Sequence, residues 1–193
     1  MGVEYEWKYR ADPEAQARLY EKTEGIWQEI AMETTYYDTA DGALSRLGCT
    51  LRRRMENEKS ICTLKTPSAD GGRGEWEVEA DAIEQAAEKL CKLGAPQNLI
   101  ALTAEGIQPI CGAKFLRRAC GINVGTAVVE LALDEGVLTG GGQELPLCEI
   151  EVELKCGSLE AAAAFAADLA GKYGLVPEAR SKFRRALDLT KER

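Results

Sequence analysis

The sequence predicts an α+β protein whose antiparallel sheet curls into a closed tunnel lined with charge, with helices packed outside it. Three observations carry that expectation. Strand-like segments outnumber helical ones along the chain. Within several of them, alternate residues sort into a charged face and an apolar face, as side chains two apart on a strand must. Three of these charged faces are rows of carboxylates, which repel one another unless cations face them.

Taken in order, residues 3–10 alternate strictly and read as a strand. Asp12 as N-cap and Pro13 at the first helical position then open a helix that runs to about Lys22. Residues 30–38 form a β-rich run ending in Tyr36-Tyr37-Asp38-Thr39. Segments 49–55 and 60–65 flank the polar stretch Glu56-Asn57-Glu58-Lys59 and read as a hairpin. A glycine-rich loop over 69–74 precedes a strand over 75–80. An amphipathic helix spans 81–93, stopped by Gly94 and Pro96. Further strands surround Arg117 and span 127–134, a flexible turn follows at Gly140-Gly141-Gly142, and 147–155 is the last long strand. Ser158 caps a helix from Leu159 to about Tyr173, closed by Gly174, and a short terminal helix follows Lys182. No repeat or low-complexity linker divides the chain, so residues 1–193 read as a single domain.

The faces separate cleanly. Glu4, Glu6, Lys8 and Arg10 oppose Val3, Tyr5, Trp7 and Tyr9; Glu75, Glu77 and Glu79 oppose Trp76 and Val78. Glu130 and Asp134 oppose Val129, Leu131 and Leu133, while Glu149, Glu151, Glu153 and Lys155 oppose Ile150, Val152 and Leu154. Thr50, Arg52 and Arg54 share a face, as do Thr63 and Lys65. A sheet with one solvated face explains any one strand. Together the strands make better sense if the acidic ones face Arg52, Arg54, Lys65 and Arg117 across a lumen, with the apolar faces turned outward to Tyr5-, Trp7-, Trp76-, Ile150- and Val152-covering helices. A closed sheet also removes exposed edges. A charged lumen is costly to bury unless it holds charged guests, and this mixture suits a polyanion with metal cations.

Composition narrows the chemistry. Hydrophobic content of 45% and charged content of 29% are ordinary for a globular chain, and the net charge of −8 argues against nucleic-acid partners. Residues 161–167 form the longest apolar stretch, too short to span a bilayer, and Glu4 and Glu6 stand where a signal peptide would be basic and then apolar. Neither a membrane nor a nucleic acid is therefore an expected partner. Seven scattered cysteines without a Cys-x-x-Cys pair read as reduced thiols in a cytoplasmic protein. With no histidine in the chain, Ser-His, Cys-His and zinc-His catalysis are excluded, leaving carboxylates, Lys, Arg, Tyr and metal.

The run Glu4-Tyr5-Glu6-Trp7-Lys8 resembles the E-x-E-x-K signature of the CYTH, or triphosphate tunnel metalloenzyme, family. The order of features after it is the more specific signal: Tyr36-Tyr37-Asp38-Thr39, Leu51-Arg52-Arg53-Arg54, Thr63-Leu64-Lys65-Thr66-Pro67, Glu75, Arg117, Glu130 to Asp134, Glu149-Ile150-Glu151-Val152-Glu153, and Ser181-Lys182. The resemblance covers essentially the whole chain and lies nearest the bacterial inorganic triphosphatases of that family. It implies an eight-stranded antiparallel β-tunnel, a closed barrel with helices outside, as monomer or homodimer. It further implies that Lys8, Arg52, Arg54, Lys65, Arg117 and Lys182 hold triphosphate oxygens, and that Glu4, Glu6, Asp134, Glu149 and Glu151 hold Mg²⁺ or Mn²⁺. The same resemblance implies that Glu75 orients the attacking water, with Glu77 beside it, and that Lys8 completes the catalytic set. Two alternatives stay open: Glu151/Glu153 in place of Glu149/Glu151, and Arg118 in place of Arg117 if that strand bulges.

Such a set suits phosphoryl transfer, which needs positioning and charge neutralisation more than a covalent nucleophile. The small-molecule substrate expected is inorganic triphosphate or a nucleoside triphosphate. Tyr5, Trp7, Tyr9 and Trp76 face away from the charges and only one of Tyr36 and Tyr37 can face inward, which favours the all-phosphate substrate. Trp27, Phe115 and Phe183 are the residues that could still form an aromatic platform at the tunnel mouth. The rival readings are a class IV adenylate cyclase, a thiamine triphosphatase and a non-catalytic polyphosphate-binding module.

Overall fold

A computed structural model describes residues 5–67, 73–104 and 106–191. β1 (Glu6–Arg10) leads into α1 (Pro13–Lys22), where the Asp12 carboxylate accepts from the Ala15 amide and Pro13 takes the first turn. β2 (Gln28–Asp38), α2 (Ala43–Arg46), β3 (Thr50–Glu56), β4 (Lys59–Pro67) and β5 (Arg73–Glu79) complete the N-terminal half. The β3–β4 turn uses Asn57 at positive φ, and its side chain accepts from the Ala31 amide, tying the turn to β2. Then come α3 (Ile83–Lys92), α4 (Gln97–Thr103), β6 (Gln108–Val124), β7 (Ala127–Gly140), β8 (Gln143–Gly157), α5 (Leu159–Tyr173), β9 (Val176–Pro177) and α6 (Lys182–Leu189).

All pairings are antiparallel, in the order β5-β4-β3-β2-β6-β7-β8-β1-β9. The expected α+β architecture is therefore present, with two differences in detail. The sheet has nine strands, because the two-residue β9 pairs with Tyr9 and Arg10 of β1. It is also curled without being closed: among the described residues, β5 and β9 are its edges and do not pair with each other.

Two apolar layers cover the convex face. Val129, Leu131, Leu133, Ile150 and Val152 pack with Ala15, Leu19, Ala162, Ala166 and Leu169 of α1 and α5. Leu51, Cys62 and Leu64 pack with Ile83, Ala86, Leu90 and Leu99 of α3 and α4. Trp7 and Trp76 join these layers as expected, whereas Tyr5, ahead of β1, remains 43% exposed. No helix among the described residues is long and apolar enough to cross a membrane.

A third apolar layer involves the last helix. α6 packs inside the curl, its Ala186 sharing a cluster with the inward residues Met32, Tyr36, Cys111, Phe115, Leu138 and Leu147. Gly140 permits this approach, since a Cβ there would stand 2.2 Å from the Ala186 carbonyl. Lys182 and Arg185, three apart on this helix, find their partners on the inner face of β7 and β8.

Candidate active site

The inner faces of β1 to β8 and the first turn of α6 enclose a cavity of about 470 Å³. Period-two alternation delivers the expected side chains to it: Glu6, Lys8, Arg52, Arg54, Lys65, Glu75, Glu77, Arg117, Glu151 and Lys182 all line its wall. Asp134 and Glu149 lie just beneath that wall, with no exposed surface. Glu4 falls outside the described residues.

One wall is basic. Lys65 Nζ stands 3.3 Å from Glu75 Oε1, and the Arg52 guanidinium 3.9 Å from the same oxygen. Arg54 pairs closely with Glu56 and lies 4.0 Å from Glu77, which also accepts from Thr63 Oγ1 at 3.1 Å. These contacts leave the Nε atoms of Arg52 and Arg54 buried without a hydrogen-bond partner. Burial, and then the neighbouring charge of Arg52, lower the pKa of Arg54. Buried donors without acceptors beside a second cation are costly, and an anionic guest would relieve both costs.

The opposite wall is acidic. Asp134 and Glu149 face each other across the β7–β8 ladder, and Asp134 also faces Arg117 across β6–β7. Oxygens of Asp134, Glu149 and Glu151 lie within 4.8 Å of one another. Lys182 Nζ sits among them at 2.8, 2.6 and 2.7 Å respectively. Arg117 donates to both oxygens of Asp134, at 2.8 and 2.7 Å, and to Glu151, while Arg185 pairs with Glu149. Burial pushes the Glu149 carboxyl up to about 7 against the pull of Lys182. Burial acts the same way on Glu151, but Lys182 and Arg117 outweigh it and hold that carboxyl well below the usual range. Lys182 and Arg117 are in turn raised, their desolvation overcome by the surrounding carboxylates.

Three hard oxygen donors gathered around one ammonium form a place built for positive charge, and their chemistry fits Mg²⁺ or Mn²⁺. Lys182 stands there as the cation, against carboxylates and not against the cavity's basic wall. Glu6 pairs with Lys8 at 2.9 Å and faces Glu153 in register, two residues along the strand from Glu151. Glu6 therefore shares the cavity but not the three-carboxylate cluster.

The geometry separates the alternatives that local sequence leaves open. β6 runs without a bulge at Arg117, which points inward, while Arg118 points out to Glu29 and lies over Tyr20. Glu149 and Glu151 join the cluster with Asp134, whereas Glu153 lies beside Glu130 and Lys155. Tyr36 is the inward tyrosine, its ring 5.0 Å from Phe183. Phe115 also lines the cavity, with Lys182 Nζ 5.3 Å from its ring centroid, whereas Trp27 packs on Tyr20 elsewhere. With Ile30 and Met32, these rings give the cavity an apolar strip between its two charged walls. Sequence reasoning missed Arg185 and Glu56. The i, i+3 spacing from Lys182 marks Arg185 as sharing its helix face, and Glu56 continues the inward row Arg52, Arg54.

Comparison with known proteins gives the following. The family described as CYTH domain matches residues 2–187. An inorganic triphosphatase of Haemophilus influenzae is 30% identical over 135 residues, which are 69% of this chain and 38% of that protein. The chain thus corresponds to well under half the length of that relative. Among solved structures, a putative adenylyl cyclase from Hippeastrum, described as having a dominant triphosphatase activity, superposes with a TM-score of 0.63 at 18% identity, covering 97% of this chain and 96% of its own. A putative adenylate cyclase from Vibrio parahaemolyticus gives 0.59 at 20% identity, covering 96% and 98%. At these identities the two structures are informative about the fold alone.

Proposed function

The chain belongs to the CYTH family, and on that premise we propose that it is a metal-dependent triphosphatase converting inorganic triphosphate to pyrophosphate and phosphate. The observation that carries the reading is the division of one cavity into a basic wall with partnerless buried guanidinium nitrogens and an acidic wall with three clustered carboxylates. A pure anion-binding module has no use for three carboxylates gathered at one point, a donor set that serves a cation and not a polyphosphate.

In this reading Arg52, Arg54 and Lys65 bind the phosphate oxygens, with Lys8 reaching them from β1. Asp134, Glu149 and Glu151, with Glu6 of β1 on the same cavity wall, would hold Mg²⁺ or Mn²⁺, which would supply charge neutralisation and polarise a phosphoryl oxygen. Glu75, fixed by Lys65, orients a water molecule and takes its proton at a carboxylate oxygen, with Glu77 held ready beside it by Thr63. The water oxygen bonds to the terminal phosphorus, the bridging P–O bond breaks, and pyrophosphate leaves with the bridging oxygen's electrons.

One observation favours a second reading. The apolar strip of Ile30, Met32, Tyr36, Phe115 and Phe183 offers a surface to an organic group, so a nucleoside or thiamine triphosphate is the rival substrate and cyclisation of ATP the rival reaction. Phosphate release from inorganic triphosphate, ATP and thiamine triphosphate, with Mg²⁺, Mn²⁺ or EDTA and with cyclic AMP quantified, separates them. Fastest turnover of inorganic triphosphate, abolished by EDTA, is expected. Cyclic AMP as main product, or full activity in EDTA, would sink the proposal.

A further inference from the structure

α1 lies on the convex side of the sheet, and its inward residues Ala15 and Leu19 belong to the apolar layer there. Gln16, between them, is a polar residue only 3% exposed. Its amide nitrogen donates to two backbone carbonyls, that of Asp134 at 3.0 Å and that of Glu149 at 2.8 Å. Those two residues are direct partners across β7–β8, and their carboxylates project to the other face of the sheet, into the acidic cluster. One side chain on the outside therefore bridges the two strands at the register position from which both buried carboxylates spring.

The bridge has a physical task there. Both carboxylates are buried and share the Lys182 ammonium, so the spacing of the two strands fixes how far apart they stand. A carbonyl oxygen accepts two hydrogen bonds, so the bridge adds to the ladder without replacing it. β1 pairs with β8 only as far as Arg10 opposite Glu149, followed by the Ala11 amide on the Cys148 carbonyl. Beyond that point β8 has lost its outer neighbour, and the Gln16 amide is the brace at the end of the pairing. A buried amide in an apolar layer is otherwise a liability that Leu or Met would avoid.

We propose that Gln16 is a positioning residue for the acidic cluster, holding Asp134 and Glu149 at the separation that a divalent cation requires. The proposal rests on the metal-dependent reading above. Supporting groups behind a metal site commonly contribute about ten- to a hundredfold in affinity.

The test is Mn²⁺ affinity, read from the free-ion electron paramagnetic resonance signal, for the wild type, Gln16→Met and Tyr9→Phe. Met keeps the length of Gln without its donors. Tyr9→Phe removes a buried hydrogen bond to the Ala166 carbonyl in the same layer, and controls for general loosening. Gln16→Met should bind Mn²⁺ about tenfold more weakly, with kcat recovering at saturating Mn²⁺, while Tyr9→Phe binds like wild type. If Gln16→Met fails to fold, Gln16→Asn, which keeps the amide but withdraws it by one methylene, should show the same direction. Unchanged affinity in the Gln16 variants, or equal weakening in Tyr9→Phe, overturns the role of Gln16 alone. No Mn²⁺ binding by the wild type overturns the metal reading itself, and the two failures are thereby distinct.

Discussion

Replacing Lys182 by Met tests how the acidic wall is balanced. The Lys182 side chain is 11% exposed and its ammonium lies 2.6–2.8 Å from carboxylate oxygens of Asp134, Glu149 and Glu151. Its removal leaves three clustered carboxylates with only Arg117 and Arg185 against them. Removing one partner of a buried ion pair costs about 3–5 kcal/mol. Water entering from the cavity lowers this to roughly 2–3 kcal/mol, and at this chain length each kcal/mol moves Tm by about 2–4 °C. In EDTA the variant should therefore melt roughly 4–12 °C below wild type. A divalent cation can then take the place of the ammonium, and an ion at a hundred times its Kd adds about 2.7 kcal/mol. Scanning calorimetry with EDTA and with Mg²⁺ should accordingly show a larger metal-induced rise for Lys182→Met than for wild type. Equal rises in the two proteins, or an unchanged Tm in EDTA, would refute the idea that this lysine occupies the cation position.

Arg54→Gln removes a buried cation whose Nε has no protein partner. A charge-assisted contact to phosphate is worth about 1.5–3 kcal/mol, so KM for inorganic triphosphate should rise roughly 10- to 100-fold with kcat much less affected; an unchanged KM contradicts the basic-wall assignment. Glu149 sits at about 7 because burial disfavours its charge, and a metal needs the ionised form. Mn²⁺ affinity should thus strengthen as pH rises through 7, with proton release visible calorimetrically in buffers of different ionisation enthalpy; affinity flat between pH 6 and 8 (on the order of the shift just cited) is the contrary result. The sign for stability is the reverse. The raised pKa stabilises the metal-free fold below its ordinary value of 4.5, and that contribution is lost as pH climbs through about 7. Asp38, 2% exposed, accepts from the amides of Thr39, Leu44 and Ser45 at 2.8, 2.9 and 2.9 Å. Asp38→Ala orphans all three, costing about 3 kcal/mol and roughly 6–12 °C in Tm, with KM unchanged; a melting point equal to wild type would disprove that structural role.

The inward and outward sets were legible in the sequence because a strand's period is local. Glu149, Glu151, Arg52 and Lys65 needed only their neighbours two residues away to be assigned a face. What alternation cannot give is which inward residue meets which, because that follows from strand order over long separations. Arg117 reaches Asp134 only because β6 and β7 pair with that register, and nothing within a few residues of either encodes it. The partners of α6 were hidden for a similar reason: the resemblance placed Lys182 in the lumen, but the buried acids that attract Lys182 and Arg185 lie more than thirty residues away. Asp38, legible in the sequence only as part of the run Tyr36 to Thr39, uses its carboxylate to accept from the first amides of α2.

Strand order also explains how the two walls are balanced separately, Arg52, Arg54 and Lys65 by Glu56, Glu75 and Glu77, and Asp134, Glu149 and Glu151 by Arg117, Lys182 and Arg185. The basic strands β3 and β4 and the acidic strands β7 and β8 are separated in the sheet by β2 and β6. At about 4.8 Å per strand, β3 and β7 are roughly 14 Å apart along the sheet, beyond direct side-chain pairing. Apart from Arg117 on β6, the inner faces of the two intervening strands carry Ile30, Met32, Tyr36, Ala113 and Phe115, which present no charge to either wall. Where that spacing fails, the charges do collapse. Arg117, at the β6–β7 boundary, is fully taken up by Asp134 and Glu151. Arg52 and Arg54, on the far side of the apolar strip, meet Glu75 and Glu77 at 3.9 and 4.0 Å, Arg54 pairs closely with Glu56 beside it, and both keep their Nε atoms without partners. The apolar strip is therefore first an insulator, and would be needed even by an enzyme whose substrate is phosphate alone. Cutting it should reveal which task it serves: Phe115→Asn, which opens a polar bridge between the walls, should weaken inorganic triphosphate and ATP alike if the strip insulates, and ATP selectively if it holds a base.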